Sequence, residues 1–367
     1  MRIVHAFRSP VGGIFRHVRD LAMAQHAAGH QVAIVCDAST GGAHEDHLFQ
    51  KIEPHLALGV QRIDMQRQIG IGDLTAARNT YRAIAGLRPD VLHGHGAKGG
   101  FYARVFGSLL KRRNRSLARL YSPHGGVLHY DRRSAAGRGY FLVERQLERF
   151  CDHVLFVSEH ERRTYIEKIG EPRAANSLVY NGVHDREFEP VEMLPDAADF
   201  LYIGMMRDLK GPDLFIEALA RTRMRFPGVS AHMVGDGDDL PRYRARAGEL
   251  GLDVVFHPAM PAREAFALAR IMVVPSRAEA MPYIVLEALA AQRAMIATAV
   301  GGIPEILGEA SCALMQPNAD DIAEKMMRAL DEPAWLPAAM PQPEALRARF
   351  GASAMAGRIE SIYRKSV

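Results

Sequence analysis

Short apolar runs and amphipathic stretches alternate along the first half of the chain. The runs are four to six residues long and rich in Val, Ile and Leu, which is typical of strands buried on both faces. The stretches between them repeat apolar residues every three or four positions, which predicts helices. The predicted strands are 2–6, 31–36, 60–64, 90–93, 117–122 and 153–157, and the predicted helices are about 14–28, 75–87, 98–111 and 137–149. This alternation indicates a parallel sheet with helices on both faces.

The same pattern begins again near residue 199. The predicted strands are 199–204, 229–234, 253–257, 271–275 and 294–298, and the predicted helices are about 211–225, 239–250, 262–269, 282–291, 319–330 and 344–364. A chain of 367 residues exceeds the usual size of one hydrophobic core. We therefore predict two doubly wound domains, 1–190 and 191–343, joined by the acidic stretch Glu187–Asp199, and a C-terminal helix in 344–367 that crosses back to the first domain. Ligands of such sheets bind at the carboxyl ends of the strands, so we expect the site in a cleft between the domains.

The composition is that of an ordinary soluble protein, with 48% hydrophobic and 24% charged residues. No apolar run reaches the roughly 18 residues that span a bilayer, and the N-terminal residues lack the features of a signal peptide. Cys36, Cys151 and Cys312 are odd in number and have no metal-ligand spacing. We therefore expect a reduced, cytoplasmic setting without a disulfide framework or a zinc site.

The net charge of +4 is unevenly distributed. Residues 1–190 contain 27 Lys and Arg against 19 Asp and Glu, so the first domain is basic. A basic domain suits an anionic partner such as a phospholipid surface or an acidic glycan, although an ordinary solvated surface explains it equally well. We expect no nucleic-acid partner, because no recognised nucleic-acid-binding motif accompanies the charge.

Two glutamates separated by seven residues stand out in the second half. Glu279 follows a predicted strand, and Glu287 lies on the next helix. The segments 180–183, 203–211, 234–237 and 299–305 add Asn-Gly-Val, Gly…Lys-Gly, Gly-Asp-Gly and Gly-Gly-Ile-Pro-Glu, and the first half contributes Gly12-Gly13 and the His-Gly-rich runs 93–100 and 122–126. In this order, the motifs resemble those of the family 4 retaining glycosyltransferases, which have the GT-B fold.

The resemblance implies roles for the residues of the second domain. Arg207 and Lys210 would contact the diphosphate of a nucleotide-sugar donor, Glu279 the transferred sugar and Glu287 the ribose hydroxyls. The residues at the start of the helix near 282 would contact the donor through backbone N–H groups. They are Met281, Pro282, Tyr283 and Ile284. Without the resemblance, Arg207 and Lys210 read equally well as solvated surface cations, and Glu287 as the partner of a neighbour such as Arg293.

In the first domain, His124 lies in a glycine-rich loop after a predicted strand, and its family counterpart suggests a contact with the transferred sugar or the developing charge. Gly12 and Gly13 would let the backbone approach the donor phosphates or the acceptor, although an ordinary tight turn also explains them. We expect one of His93 and His95 to face the ligand site and the other to pack in the core. We predict no metal and no cofactor, because GT-B enzymes generally need no metal for catalysis.

The predicted function is transfer of a hexose from a UDP- or GDP-sugar to a glycan or glycolipid acceptor with retention, in the synthesis of cell-surface polysaccharide or lipopolysaccharide. A non-catalytic scaffold that binds sugar nucleotides is the alternative. An NAD-dependent oxidoreductase is less favoured, because no G-x-G-x-x-G follows a strand. The apolar stripe of helix 98–111 precedes the cationic run Lys111–Arg115. This run predicts peripheral contact with an anionic membrane, whereas a core-facing helix explains the stripe itself.

Overall fold

The computed structural model describes residues 1–65 and 72–367, with residues 72–74 described for their backbone alone. The chain divides into two compact units. The first unit comprises Met1–Asn181 and Ala352–Val367, and the second comprises Gly182–Gly351. The acidic stretch Glu187–Asp199, which the sequence analysis took for a linker, lies in the second unit.

The first unit is built on a seven-stranded parallel sheet with the order β3-β2-β1-β4-β5-β6-β7. Its strands are β1 (Arg2–Phe7), β2 (Gln31–Asp37), β3 (Val60–Ile63), β4 (Val91–His95), β5 (Ala118–Ser122), β6 (His153–Phe156) and β7 (Ala175–Leu178). Its helices within residues 1–181 are α1 (Gly12–Ala27), α2 (Ala43–Ile52), α3 (Gly72–Leu87), α4 (Gly96–Lys111), α5 (Ala135–Leu147) and α6 (Glu159–Lys168). The order reverses between β1 and β4, where the loops after the two strands diverge and leave room for a ligand.

The second unit repeats this arrangement with six parallel strands in the order β10-β9-β8-β11-β12-β13. Its strands are β8 (Ala198–Ile203), β9 (Ser230–Val234), β10 (Asp253–His257), β11 (Ala269–Val274), β12 (Met295–Thr298) and β13 (Leu314–Met315). Its helices are α7 (Pro212–Arg225), α8 (Leu240–Glu249), α9 (Ala262–Phe266), α10 (Tyr283–Ala290), α11 (Ile303–Leu307), α12 (Ala319–Asp331), α13 (Trp335–Ala338) and α14 (Pro343–Phe350). Here the strand order reverses between β8 and β11. The two doubly wound units confirm the predicted fold class.

The C-terminal segment forms two helices, α14 and α15 (Ala352–Ser366), where the sequence predicts one helix over 344–364. The break falls at Gly351, whose φ of −76° and ψ of 135° are extended. Helix α15 belongs to the first unit, where Met355, Ile359 and Tyr363 pack into a core cluster with residues of α1 and the sheet. Nε2 of His30 also lies 2.7 Å from a carboxylate oxygen of Glu360.

None of the helices in the described ranges is long and apolar enough to cross a membrane.

Candidate functional site

The loops after β8 and β11 bring Lys210 and Glu279 together in the second unit. Lys210 Nζ donates to both carboxylate oxygens of Glu279, at 2.6 and 2.8 Å. Ser276 Oγ donates to Oε1 of the same carboxylate at 2.7 Å. The side chain of Glu279 is 8% exposed and that of Lys210 is 24% exposed, so the lysine is the more solvent-accessible member of the pair. The sequence selected Lys210 and Glu279 separately and missed Ser276, although Ser276 stands directly after the strand end.

Close backbone packing holds this pair in place. Gly211 has φ +70°, and a Cβ there would lie 2.1 Å from the carbonyl oxygen of Pro275, so only glycine fits between the two loops. A Cβ on Gly301, at φ +60°, would lie 1.8 Å from the carbonyl oxygen of Glu279. The buried Thr298 hydroxyl donates to the Ser276 carbonyl at 2.6 Å. The glycines of the Lys-Gly and Gly-Gly-Ile-Pro motifs therefore position the Lys210–Glu279 pair.

Arg207 precedes the 3₁₀ turn Asp208–Lys210 that carries Lys210. Its Nε atom is buried and has no hydrogen-bond partner among the residues that the structure describes. A buried polar donor without a partner costs about 1–3 kcal/mol, so a bound ligand or an ordered water is expected to complete it. An anion at this turn would supply the missing acceptor.

Helix α10 begins at Tyr283, directly after Pro282, which has no side chain that can cap the helix. Met281, Pro282 and Tyr283 are buried, whereas Ile284 and Glu287 are partly exposed. The sequence considered an ion pair between Glu287 and Arg293. Arg293 instead donates to backbone carbonyls, including that of Ala269 at 2.7 Å.

Three histidines of the first unit lie side by side on one face of the sheet. His5 on β1 is in register with His93 on β4, and His95 follows two residues later. All three are buried, and the rings of His93 and His95 are 4.0 Å apart between their centres. Residues two apart on a strand share one face, so both rings lie on the same side of the sheet. His95 contacts His124, a candidate site residue, whereas His93 contacts Tyr363 of the core and Ser122. That one of the two faces the ligand site stays a prediction.

A series of hydrogen bonds leads from α1 to the loop after β5. Gln25 Oε1 lies 2.9 Å from Nε2 of His5, and Nδ1 of His5 lies 3.0 Å from Nε2 of His95. Nδ1 of His95 lies 3.0 Å from Nε2 of His124. His124 was selected from the sequence, whereas Gln25 and His5 were not, since their contacts with one another are non-local.

Burial keeps these imidazoles neutral at pH 7. It lowers the pKa of His5 to about 4 and the pKa of His124 to about 3, and it holds the pKa of His95 well below 6.5. Each neutral ring carries a single N–H, so the first hydrogen bond decides the direction of the others. Gln25 donates to the Tyr363 hydroxyl, which leaves its carbonyl oxygen to accept from His5 Nε2. His5 then accepts from His95 and His95 from His124, so Nδ1 of His124 is a hydrogen-bond acceptor.

The backbone of His124 is held in a left-handed conformation, with φ +50°. Such a conformation costs a non-glycine residue about 1 kcal/mol or more, so neighbouring contacts must hold it. The buried Glu161 supplies them: its carboxylate accepts the N–H of Gly125 at 2.5 Å and that of Val157 at 2.9 Å. Glu161 was missed from the sequence because nothing in its local pattern distinguishes it from a helix-capping residue.

Gly12 and Gly13 begin helix α1 and are exposed. Gly12 has φ +64°, and a Cβ there would meet no atom within 4 Å. Glycine is therefore required at position 12 by the turn and not by packing.

The histidines also have the spacing of metal ligands. One ring nitrogen each of His5, His93 and His95 lies within 4.8 Å of the others, and His17, His95 and His124 form a second such group. In the first group every ring nitrogen already has a hydrogen-bonding partner. A metal ion would have to displace some of these hydrogen bonds. The absence of a catalytic metal stays a prediction.

Comparison with known proteins identifies the family. The family model described as "Glycosyl transferase 4-like domain" matches residues 12–182, and the one described as "Glycosyl transferases group 1" matches residues 197–332. The D-inositol 3-phosphate glycosyltransferase of Streptosporangium roseum is 27% identical over 247 residues, which are 60% of this chain and 57% of that protein.

Solved structures show the same fold over the whole chain. The sucrose-phosphate synthase tll1590 of Thermosynechococcus elongatus has a TM-score of 0.79 at 21% identity, covering 100% of this chain and 99% of that one. Anabaena Alr3699/HepE in complex with UDP-glucose has a TM-score of 0.79 at 17% identity, covering 99% of each chain. With two family models that together match most of its length, the chain belongs to the group 1 glycosyltransferases, which have the GT-B fold.

Proposed function

We propose that the protein transfers a hexose from a UDP- or GDP-sugar to a glycan or lipid-linked glycan, with retention of anomeric configuration. The observation that carries this proposal is the arrangement after β8 and β11. A lysine is paired there with a carboxylate whose side chain is only 8% exposed, and the buried Nε of Arg207 has no partner in the described part of the chain. Such a site offers cations to an anionic leaving group and a carboxylate to sugar hydroxyls.

In this proposal Arg207 and Lys210 bind the diphosphate, assisted by backbone N–H groups in the Met281–Ile284 segment. The ammonium of Lys210 has three N–H groups and gives two to Glu279, so the third can reach a phosphate oxygen. Glu279 accepts hydrogen bonds from sugar hydroxyls, and Glu287 accepts them from the ribose. The cations stabilise the charge that develops as the diphosphate departs, which is the largest contribution expected of such a site.

For the first unit, we propose that His124 and the Gly12–Gly13 turn take part in substrate binding. Because Nδ1 of His124 is an acceptor, we expect it to take a hydrogen bond from a hydroxyl of the transferred sugar. Gly12 and Gly13 lie at the exposed start of α1, where backbone N–H groups suit a phosphate or an acceptor hydroxyl.

The proposed chemistry is front-face substitution. The bond between the anomeric carbon and the phosphate oxygen breaks, and a bond to the acceptor oxygen forms on the same face of the sugar. The acceptor proton passes to the departing phosphate oxygen. No enzyme nucleophile and no metal takes part in these steps. A product of inverted configuration would contradict this mechanism.

The acceptor class follows from the basic first half of the chain, which suits an anionic or lipid-linked glycan such as a lipopolysaccharide or exopolysaccharide intermediate. We infer that the enzyme works in the cytoplasm, against the inner face of the membrane.

Thermal stabilisation by ligands tests the donor class. UDP, GDP, ADP, NAD⁺ and phosphate are compared, since a ligand at about 100 times its Kd adds roughly 2.7 kcal/mol to the stability of the protein. We expect one nucleoside diphosphate to stabilise the wild type and to lose its effect in Lys210→Met. Arg225→Gln is the control, because Arg225 is an exposed arginine at the end of α7 that is already paired with Asp331. Stabilisation by NAD⁺ alone would favour the oxidoreductase. Binding of a nucleotide sugar without turnover on any glycan or lipid-linked acceptor would favour the scaffold.

A further inference from the structure

Helix α5 exposes large hydrophobic side chains on the first unit. Leu142 is 64% exposed and Val143 51% exposed, in the middle of this helix. Tyr130, Tyr140 and Phe150 are exposed beside them, and the rings of Tyr130 and Tyr140 are 4.6 Å apart between their centres. These five residues, which we call the α5 face, are five of the thirteen exposed large hydrophobic residues in the described ranges. Three of them lie on α5 and the other two lie just before and after it, and such a concentration in one segment is unusual for a surface that faces only water.

The opposite side of α5 is fixed to the core, so the α5 face cannot turn inward. Phe141, Glu144 and Leu147 are buried. The Glu144 carboxylate accepts from the buried Arg104 of α4 at 2.7 and 3.1 Å. The N-terminus is capped by Ser134, whose Oγ accepts the N–H of Gly137. The exposed side chains therefore form a stable surface of the fold.

The chain segment that carries the α5 face is strongly basic. Residues 101–150 contain eleven Lys and Arg against only three acidic residues. Two of the three, Glu144 and Glu148, are buried and paired with Arg104 and Arg145. Asp131 is the remaining carboxylate. The arginines that stay exposed around the apolar residues are Arg132, Arg133, Arg138 and Arg149.

We propose that the α5 face docks on the surface of a bilayer that contains anionic lipids. Leu142, Val143 and Phe150 would enter the region between headgroups and acyl chains, the two tyrosines would lie at headgroup level, and the arginines would contact lipid phosphates. The docking brings the enzyme to a lipid-linked acceptor, and only this purpose rests on the proposed function.

The surface that we propose for membrane contact therefore differs from the surface predicted from the sequence. The sequence pointed to Lys111–Arg115, at the end of α4. Lys111 is paired with Asp152 at 3.0 Å, and Tyr102 and Phe106 of the preceding apolar stripe are buried. Arg112, Arg113 and Arg115 are exposed and can add to the attraction. Leu109 and Phe101 of the same stripe are 42% and 38% exposed, less than Leu142 and Val143.

Co-sedimentation with vesicles tests the proposal without donor or acceptor. The purified full chain is mixed with phosphatidylcholine vesicles and with mixed phosphatidylcholine–phosphatidylglycerol vesicles. We expect binding to the mixed vesicles only, weakening as salt is added. The double variant Leu142→Glu/Val143→Glu should reduce the partition coefficient by about tenfold or more, because it removes two apolar groups and adds two negative charges. Arg138→Gln/Arg149→Gln should reduce it by about fivefold for each arginine.

Controls separate this surface from others. Met224→Glu introduces the same charge at a residue 86% exposed in the second unit, and should leave binding unchanged. Arg112→Gln/Arg113→Gln/Arg115→Gln tests the surface predicted from the sequence. Thermal unfolding and nucleotide stabilisation of every variant should match those of the wild type, so a failure of donor binding would be seen separately.

Three results would overturn the proposal. The first is equal binding to neutral and mixed vesicles, or to neither. The second is binding that the Leu142→Glu/Val143→Glu variant leaves intact. The third is a concentration-dependent dimer in the absence of vesicles that the same variant dissociates, because that result would assign the α5 face to a second copy of the chain.

Discussion

Acid should destabilise the first unit well above the pH at which carboxylates protonate, because its histidines are buried in the neutral form. His5 is fully buried, and burial lowers its pKa to about 4 from 6.5. The unfolded chain therefore binds a proton at this residue before the folded chain does. The stability that this residue contributes is complete above pH 6.5 and is lost as the pH falls from 6.5 toward 4.

The size of the stability loss follows from the two pKa values of His5, about 4 in the folded chain and 6.5 in the unfolded chain. Between pH 7 and pH 5.5, His5 alone should remove about 1.2 kcal/mol from the free energy of unfolding, since one pKa unit corresponds to about 1.4 kcal/mol. The pKa values of His17, His93, His95 and His124 are lowered too, so their losses have the same sign, although coupled sites do not add. A loss of 1.2 kcal/mol corresponds to roughly 2–5 °C in Tm for a unit of this size.

Urea denaturation and calorimetry between pH 7.5 and 5 provide the assay. Asp37 and Asp152 do not contribute to the change in this range. Their pKa values are lowered from 3.8, so the stability that they provide is lost only below that pH. His5→Gln removes one titrating group, so its stability should fall less steeply with acid than that of the wild type. His47→Gln, at an exposed position on α2, is the matched control and should keep the wild-type slope. A wild-type stability that is constant from pH 7.5 to 5, or an unchanged slope in His5→Gln, would refute the reasoning.

Three further outcomes can be checked directly. Arg104→Met should cost about 3–5 kcal/mol in urea denaturation, because it leaves Glu144 buried without its partner, and Arg104→Met/Glu144→Leu should recover most of that loss; equal stability of the single and double variants would contradict this. Glu279→Gln should lower kcat by about a hundredfold or more while Lys210→Met mainly weakens nucleotide stabilisation, and steady-state kinetics that show no such division would argue against the assigned roles. ¹⁵N NMR at pH 7.5 should find His124 protonated at Nε2, and protonation at Nδ1 would break the deduced order of hydrogen bonds.

The sheets could be predicted from the sequence because their strands are continuous apolar runs. The predicted strand 271–275 overlaps β11, Ala269–Val274, and differs only at its ends. Helix α6, Glu159–Lys168, was missed because it is polar on almost every side and lacks an apolar stripe. Its start is set by Ser158, whose Oγ accepts the N–H of Glu161. The edge strand β13 has only two residues, too few to show a period.

Candidate residues could be chosen from the sequence, but their partners could not. His124 stood out because it lies in a glycine-rich loop after a strand. Its contact with His95, and through His5 with Gln25, depends on which strands are neighbours in the sheet. For His93 and His95, the sequence alone gives the side of the sheet on which the rings lie. The period of a strand already requires both residues to face the same side.

The pair of Lys210 and Glu279 joins residues that the motifs presented as separate. The two lie 69 positions apart, and the Lys-Gly turn and the Gly-Gly turn bring their side chains within hydrogen-bonding distance. Because Lys210 spans both oxygens of Glu279, it orients the carboxylate that we propose for the sugar. Its third N–H can bind the phosphate next to that sugar. A shift of the lysine would then disturb leaving-group binding and sugar orientation together, so replacing either residue should change both functions, in different proportions.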